Sequence, residues 1–131
     1  MTPDVRWKQR LGNYQLAMGQ LSEFIAKESL NKFERQGLIQ CFEYTFELAW
    51  KTFKDYLEDG GQTVHSPRTA IQLAFQAGLV TNGHDWMDAL EKRNILAHSY
   101  NESYAILAEE LIKNNYYPML DAACKRFMTL P

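Results

Sequence analysis

The sequence predicts an all-α protein, an antiparallel bundle of four to five helices, and three observations predict it. Apolar residues recur at helical spacing through most of the 131 residues, and no segment alternates with the period of two that a half-buried strand needs. The connections between periodic segments are only a few residues long, which places successive helices side by side. Internal repeats, linkers and low-complexity tails are absent, so one domain over residues 1–131 is expected, large enough to bury a core without metal or disulfide staples.

The first helix is announced by Trp7, Leu11, Tyr14, Met18, Leu21 and Ile25, an a/d seam that seeks a helical partner. In the second, Asn31 and Glu34 form a capping-box pattern and Gly60 and Gly61 supply a stop. At about 100° per residue, Leu38, Ile39, Phe42, Phe46, Ala49, Trp50, Phe53, Tyr56 and Leu57 fall on one arc of that helix. Ser66 as N-cap, Pro67 at the first position and Gly78 as terminator bracket a short third helix, whose Ile71, Leu73, Ala74 and Phe75 are expected to pack on the long pair. A fourth helix is expected from near Asp85 to Asn101, with Trp86, Leu90, Arg93 and Ala97 along one side. Asn101 and Glu102 then open a last helix carrying Tyr104, Leu107, Ala108, Leu111 and Ile112, which Pro118 is expected to kink or break.

Charge and composition narrow the function. A formal net charge of -2 excludes the broad basic footprint of proteins that hold nucleic acid by bulk phosphate neutralisation, so any such contact must be local. Cys41 and Cys124 lie in helical patterns without ligand spacing, as buried thiols in a reducing cytoplasm would. His65 and His84 stand in loops without metal-ligand spacing, and neither a metal nor a cofactor is expected. The N-terminal residues lack a signal-peptide core and no apolar run reaches the roughly 18 residues of a membrane span, so a soluble, cytoplasmic protein is expected.

The stretch Glu91–Asn101, EKRNILAHSYN, sets Arg93, Asn94, His98 and Tyr100 within a segment otherwise patterned for burial. Arg93 and His98 are about 140° apart on an ideal helix and would not meet on a continuous one, whereas Asn94 and His98 at i and i+4 would. Fraying near His98, or a second copy of the chain across a two-fold axis, could bring guanidinium and imidazole onto one phosphate. That pair suits RNA cleavage without metal: the imidazole moves the proton of the 2′-hydroxyl or of the leaving oxygen, and the arginine stabilises charge on the phosphorus centre.

The segment RNILAHSY resembles the R-x4-H-x-Y motif of HEPN domains, with a polar residue directly after the arginine. CFEYTFELAWKTFKDYLE, SPRTAIQLAFQAGL and WMDALEKRNILAHSY are similar to the small HEPN proteins known as nucleotidyltransferase substrate-binding proteins, and the likeness runs from about Arg6 to Leu120. The resemblance implies a HEPN-like bundle that forms a homodimer with its motifs facing each other, and a metal-independent endoribonuclease of the toxin-antitoxin kind acting on RNA. On that pattern Arg93 and His98 are the catalytic pair, Asn94 assists, and a minimal nucleotidyltransferase encoded nearby adds AMP to Tyr100. The family's older name implies instead a non-catalytic subunit that presents substrate to the transferase.

Plainer roles exist for each residue. Arg93 can pair with a carboxylate, and His98 can cap carbonyls at a helix C-terminus. Glu47 has Lys51 one turn on, whereas Glu43, at the edge of the apolar arc, could orient an arginine or simply be solvated. Arg68, in the first turn of the third helix, could meet a phosphate or partner, or form a surface ion pair. Trp7, Trp50 and Trp86 are expected as core or interface anchors, not base-stacking platforms.

Overall fold

The computed structural model describes the backbone of residues 3–131 and the side chains of residues 5–131 other than Asn94 and Ile95. Among these the chain is all helical: α1 (Pro3–Ile25), α2 (Lys32–Asp59), α3 (Pro67–Gln76), α4 (Gly83–Glu91), α5 (Arg93–Ala97), α6 (Glu102–Leu111), a π-helical turn (Ile112–Tyr116) and α7 (Tyr117–Met128). With α4 and α5 taken as one interrupted helix and α6 to α7 as one continuous path, this is the expected five-helix bundle.

The caps fall where the side-chain chemistry demands them. Asn31 Oδ1 accepts from the Glu34 amide at 2.8 Å while the Asn31 amide donates to Glu34 Oε1 at 2.9 Å, so two otherwise unpaired donors of α2 are satisfied reciprocally. Ser66 Oγ accepts from the Thr69 amide at 3.1 Å, with Pro67 placed where its missing N–H costs nothing. Gly78 ends the α3 segment at φ 75°, which lets the Leu79 amide reach Ala74 O at 2.9 Å.

α1 and α2 run antiparallel, since Phe24 meets Gly37, Ala17 meets Cys41, and Arg10 Nε binds buried Asp55 Oδ2 at 2.7 Å. Gly37 permits that approach: a Cβ there would stand 3.0 Å from the Phe24 ring. α7 lies antiparallel to α1, with Tyr14 Oη donating to Leu120 O at 2.6 Å and the Trp7 ring edge-on to Phe127. The core between them is aromatic. Phe53 meets Trp86 at 5.0 Å and Phe127 at 5.2 Å between ring centroids, and Phe42 stacks on Tyr116 at 5.3 Å. Cys41 and Cys124 are buried free thiols, and burial pushes the Cys124 thiol up to about 11.

Three expectations need correction. α4 begins at Gly83 and does not run on to Asn101, because a turn at Lys92 interrupts it. Pro118 does not break the last helix: the π turn before it opens the ladder, with the Tyr117 amide reaching back to Ile112 O, where the ring would otherwise press on the preceding turn. On α6, Ala105 and Ala108 turn into the core, and Tyr104 and Leu107 are exposed. Phe75 is also largely exposed, its ring lying against Gly83 at the start of α4.

Phe53→Ala should lower stability by about 3–5 kcal/mol, the range for an aromatic removed from a packed core, read from the urea unfolding midpoint. A second expectation concerns acid. Burial opposes ionisation of Glu109 and Asp88, but Lys113 and Arg35 at Glu109, and Tyr116 and Lys92 at Asp88, outweigh it and hold both carboxyls below their ordinary values. Stability from a depressed carboxyl is present above its unfolded pKa, about 4, and is lost as pH falls through the folded value. Unfolding midpoints should therefore decline below about pH 4, less steeply in Glu109→Gln than in the parent.

Candidate functional site

The site is built on the interruption after α4. Lys92 Nζ pairs with Asp88 Oδ1 at 2.9 Å, and Asp88 Oδ2 accepts the Tyr116 hydroxyl at 2.7 Å, so the end of α4 is tied to the π turn. Burial, followed by the Asp88 carboxylate, pushes the Tyr116 phenol far above its ordinary range, which keeps it a donor. The five residues of α5 follow, pinned by Leu96, 1% exposed, leaving Arg93 and Ala97 at the surface beside α2.

Arg93 Nη1 lies 3.4 Å from Glu47 Oε1. Glu47 also faces Lys51 at 3.7 Å and accepts from Trp50 Nε1 at 3.1 Å, so one carboxylate serves three donors. The Arg93 and Glu47 side chains are 47% and 41% exposed, and a pair so open to water is worth about 0–1 kcal/mol. The guanidinium can thus exchange this carboxylate for a phosphate at little cost. The carboxylate that holds the arginine is Glu47, in place of the Glu43 considered from sequence. Glu43 has no lysine, arginine or histidine within ion-pair distance among the described residues, and partial burial raises its carboxyl above the ordinary value.

After Ala97 the chain turns. The Ser99 amide donates to Leu96 O, the Asn101 amide to His98 O, and Gln36 Nε2 on α2 donates to Ser99 O at 3.0 Å. Asn101 Oδ1 then caps α6 through the Ser103 amide at 3.0 Å and the Ser103 hydroxyl at 2.6 Å. Within this fixed turn, His98 Nδ1 and Tyr100 Oη stand 3.2 Å apart, with Tyr104 beside the imidazole at 6.4 Å between ring centroids. His98 is exposed and Tyr100 is 76% exposed.

The structure therefore brings His98 to Tyr100, but no described contact joins His98 to Arg93, which turns to α2 instead. The side chain of Asn94 lies outside the described residues. Arg68 is exposed on α3, and no described contact joins it to the motif. A groove of about 550 Å³ separates α2 from α5, floored by Phe42, Phe46 and Leu96 and edged by Glu43, Glu47 and Arg93. Among the described residues, no three His, Cys, Asp or Glu side chains gather as a metal set, and no helix is long and apolar enough to cross a membrane.

The fold defines a small all-helical bundle, and comparison with known proteins gives its family. Residues 9–129 match the family described as "nucleotidyltransferase substrate binding protein like", and the chain belongs to that family. A crystal structure of a protein from Thermus thermophilus superposes with a TM-score of 0.77 at 31% identity, covering 86% of this chain and 97% of that one. No curated protein sequence matches significantly. The family name implies association with a nucleotidyltransferase.

Asn101→Ala should cost about 1 kcal/mol by leaving the first amides of α6 unpaired. Amide hydrogen exchange should show faster opening of residues 98–103, with the α1 and α2 core unchanged.

Proposed function

We propose that this protein is a HEPN-type, metal-independent endoribonuclease that acts as a cytoplasmic homodimer of single-domain subunits, and that a minimal nucleotidyltransferase silences it by adding AMP to Tyr100. The observation that carries the reading is the 3.2 Å approach of the Tyr100 hydroxyl to His98 Nδ1, both groups facing solvent. An exposed tyrosine is reachable by a modifying enzyme, and whatever it acquires lands on the imidazole.

In the cleavage step the RNA 2′-hydroxyl oxygen attacks the adjacent phosphorus. The new P–O2′ bond closes a 2′,3′-cyclic phosphate as the P–O5′ bond breaks. A neutral His98 takes the 2′-hydroxyl proton, and a protonated second copy of His98, from the partner subunit, delivers a proton to the departing 5′ oxygen. Arg93, released from Glu47, binds the non-bridging oxygens, and Asn94 assists at the same phosphate. Arg68, apart on α3, is left for contact with a partner. In the silencing step the Tyr100 oxygen attacks the α-phosphorus of ATP, pyrophosphate leaves, and the phenolic proton passes to solvent. The resulting phosphodiester places bulk and negative charge where the RNA phosphate would sit.

Purified, mass-verified protein unmodified at Tyr100, incubated with cellular RNA and excess chelator, should release fragments ending in 2′,3′-cyclic phosphate. His98→Ala and Arg93→Ala should each lose at least about a hundredfold in rate while remaining folded dimers by light scattering. Undiminished cleavage by either variant would overturn the assignment. The family's name also suggests a second reading, a non-catalytic subunit that presents substrate to the transferase. Absence of cleavage by a folded, unmodified dimer would leave that reading standing.

A further inference from the structure

Phe33 is the aromatic residue that the fold does not use. It occupies the second position of α2 and is 80% exposed, whereas Phe42, Phe46 and Phe53 on the same helix are buried. Its ring lines a second groove of about 600 Å³ on α2, closed on the far side by Leu96, Ala97 and Ser99. That groove shares Gln40, Glu43, Leu96 and Ala97 with the one beside Arg93, so the two are successive reaches of a single channel. From Phe33 to Glu47 the channel follows fourteen residues of α2, about 21 Å at the helical rise, which is room for roughly four to six stacked nucleotides.

We infer that this channel is the path of single-stranded RNA, with Phe33 as the platform on which a base stacks, several nucleotides from the phosphate held at Arg93. The inference rests on the ribonuclease reading above and adds the substrate's route to it. Charge decides how the strand lies. Glu43 and Glu47, on the channel edge with Arg93, would repel phosphates along it, so the backbone faces solvent except at Arg93 and the bases turn inward. Inward-facing bases offer exocyclic amino groups, which the carboxylate of Glu43 and the amide of Gln40 accept. An exposed ring at the channel end meets such a base face to face, an interaction tolerant of sequence. Duplex RNA cannot use it, because its bases are stacked within the helix and its surface presents phosphates and 2′-hydroxyls.

The test is fluorescence anisotropy with a short, fluorescein-labelled, mixed-sequence RNA, single-stranded or annealed to its complement, titrated with the non-cleaving His98→Ala protein. Adding Phe33→Ala should weaken single-strand binding about five- to a hundredfold, and Phe33→Trp should retain it. Duplex should bind more weakly throughout and be indifferent to either change. Equal single-strand binding with and without the phenyl ring would overturn the inference, as would duplex binding as tight as single-strand binding. Light scattering guards a third outcome: dissociation of the dimer by Phe33→Ala would assign the ring to contact between copies and also overturn it. The His98-intact protein, assayed in parallel for cleavage, separates the two readings. Cleavage indifferent to Phe33 removes only the channel, whereas ring-dependent binding without cleavage removes only the nuclease.

Discussion

The position of the whole motif depends on one hydrogen bond, from the Tyr116 hydroxyl to Asp88. Tyr116 stacks on Phe42 with no solvent exposure, so its hydroxyl must find an acceptor inside the protein or cost several kcal/mol of desolvation, of order 2–7. Asp88 is that acceptor, and it takes Lys92 at the same time. The two bonds fasten the last turn of α4 to the π turn and fix the point from which the chain restarts as α5. Leu96 and the Gln36 bond to Ser99 carry the register onward to His98 and Tyr100. The motif side chains are thus exposed, yet they hang from a buried scaffold. Such support lets surface side chains hold a geometry that mobile loops do not.

The electrostatics divide along the same line. Ion pairs within the scaffold, such as Arg35 with Glu109 at 2.7 Å, have side chains only 16% exposed and bind through short contacts. The pair at the site, Arg93 with Glu47, is long and open to water. Weak pairing suits a group that must change partners: the carboxylate holds the guanidinium in place without making its release expensive. The chain's net charge of -2 is compatible with an RNA substrate only if attraction is concentrated at such a point, with the remaining affinity drawn from uncharged contacts.

Much of this was legible in the sequence where the signal is local. The caps at Asn31, Ser66 and Asn101 depend on a side chain and an amide two or three residues away, and the arc of α2 depends only on helical period. What was illegible depends on the register between helices. Sequence offered Glu43 as the carboxylate to orient an arginine and gave Glu47 to Lys51, and only the seating of α5 on α2 brings Arg93 to Glu47. The interruption at Lys92 has no glycine or proline to announce it. On the last helix the period alone did not say which residues turn inward; Ala105 and Ala108 are buried, and Tyr104 and Leu107 are exposed. Phe33 falls in the same class, since an apolar residue in the first turn gives no sign that its neighbours leave it bare.

The division of the motif between two sets of neighbours bears on the proposed assembly. Within one chain Arg93 looks across the channel to α2, whereas His98 is grouped with Tyr100 and Tyr104 on the turn into α6. Cleavage of the proposed kind requires a proton acceptor, a proton donor and a cation at one phosphate, and a single imidazole cannot fill the first two roles in the same step. A two-fold axis near the turn would supply a second histidine and a second arginine together, and the same operation would cover the exposed faces of Tyr104 and Leu107. It would also set both Tyr100 hydroxyls at the shared phosphate site, so that one AMP would obstruct a centre built from two chains. A substrate-presenting subunit has no such need for paired imidazoles, so the placement of His98 across a two-fold axis is what separates the two readings.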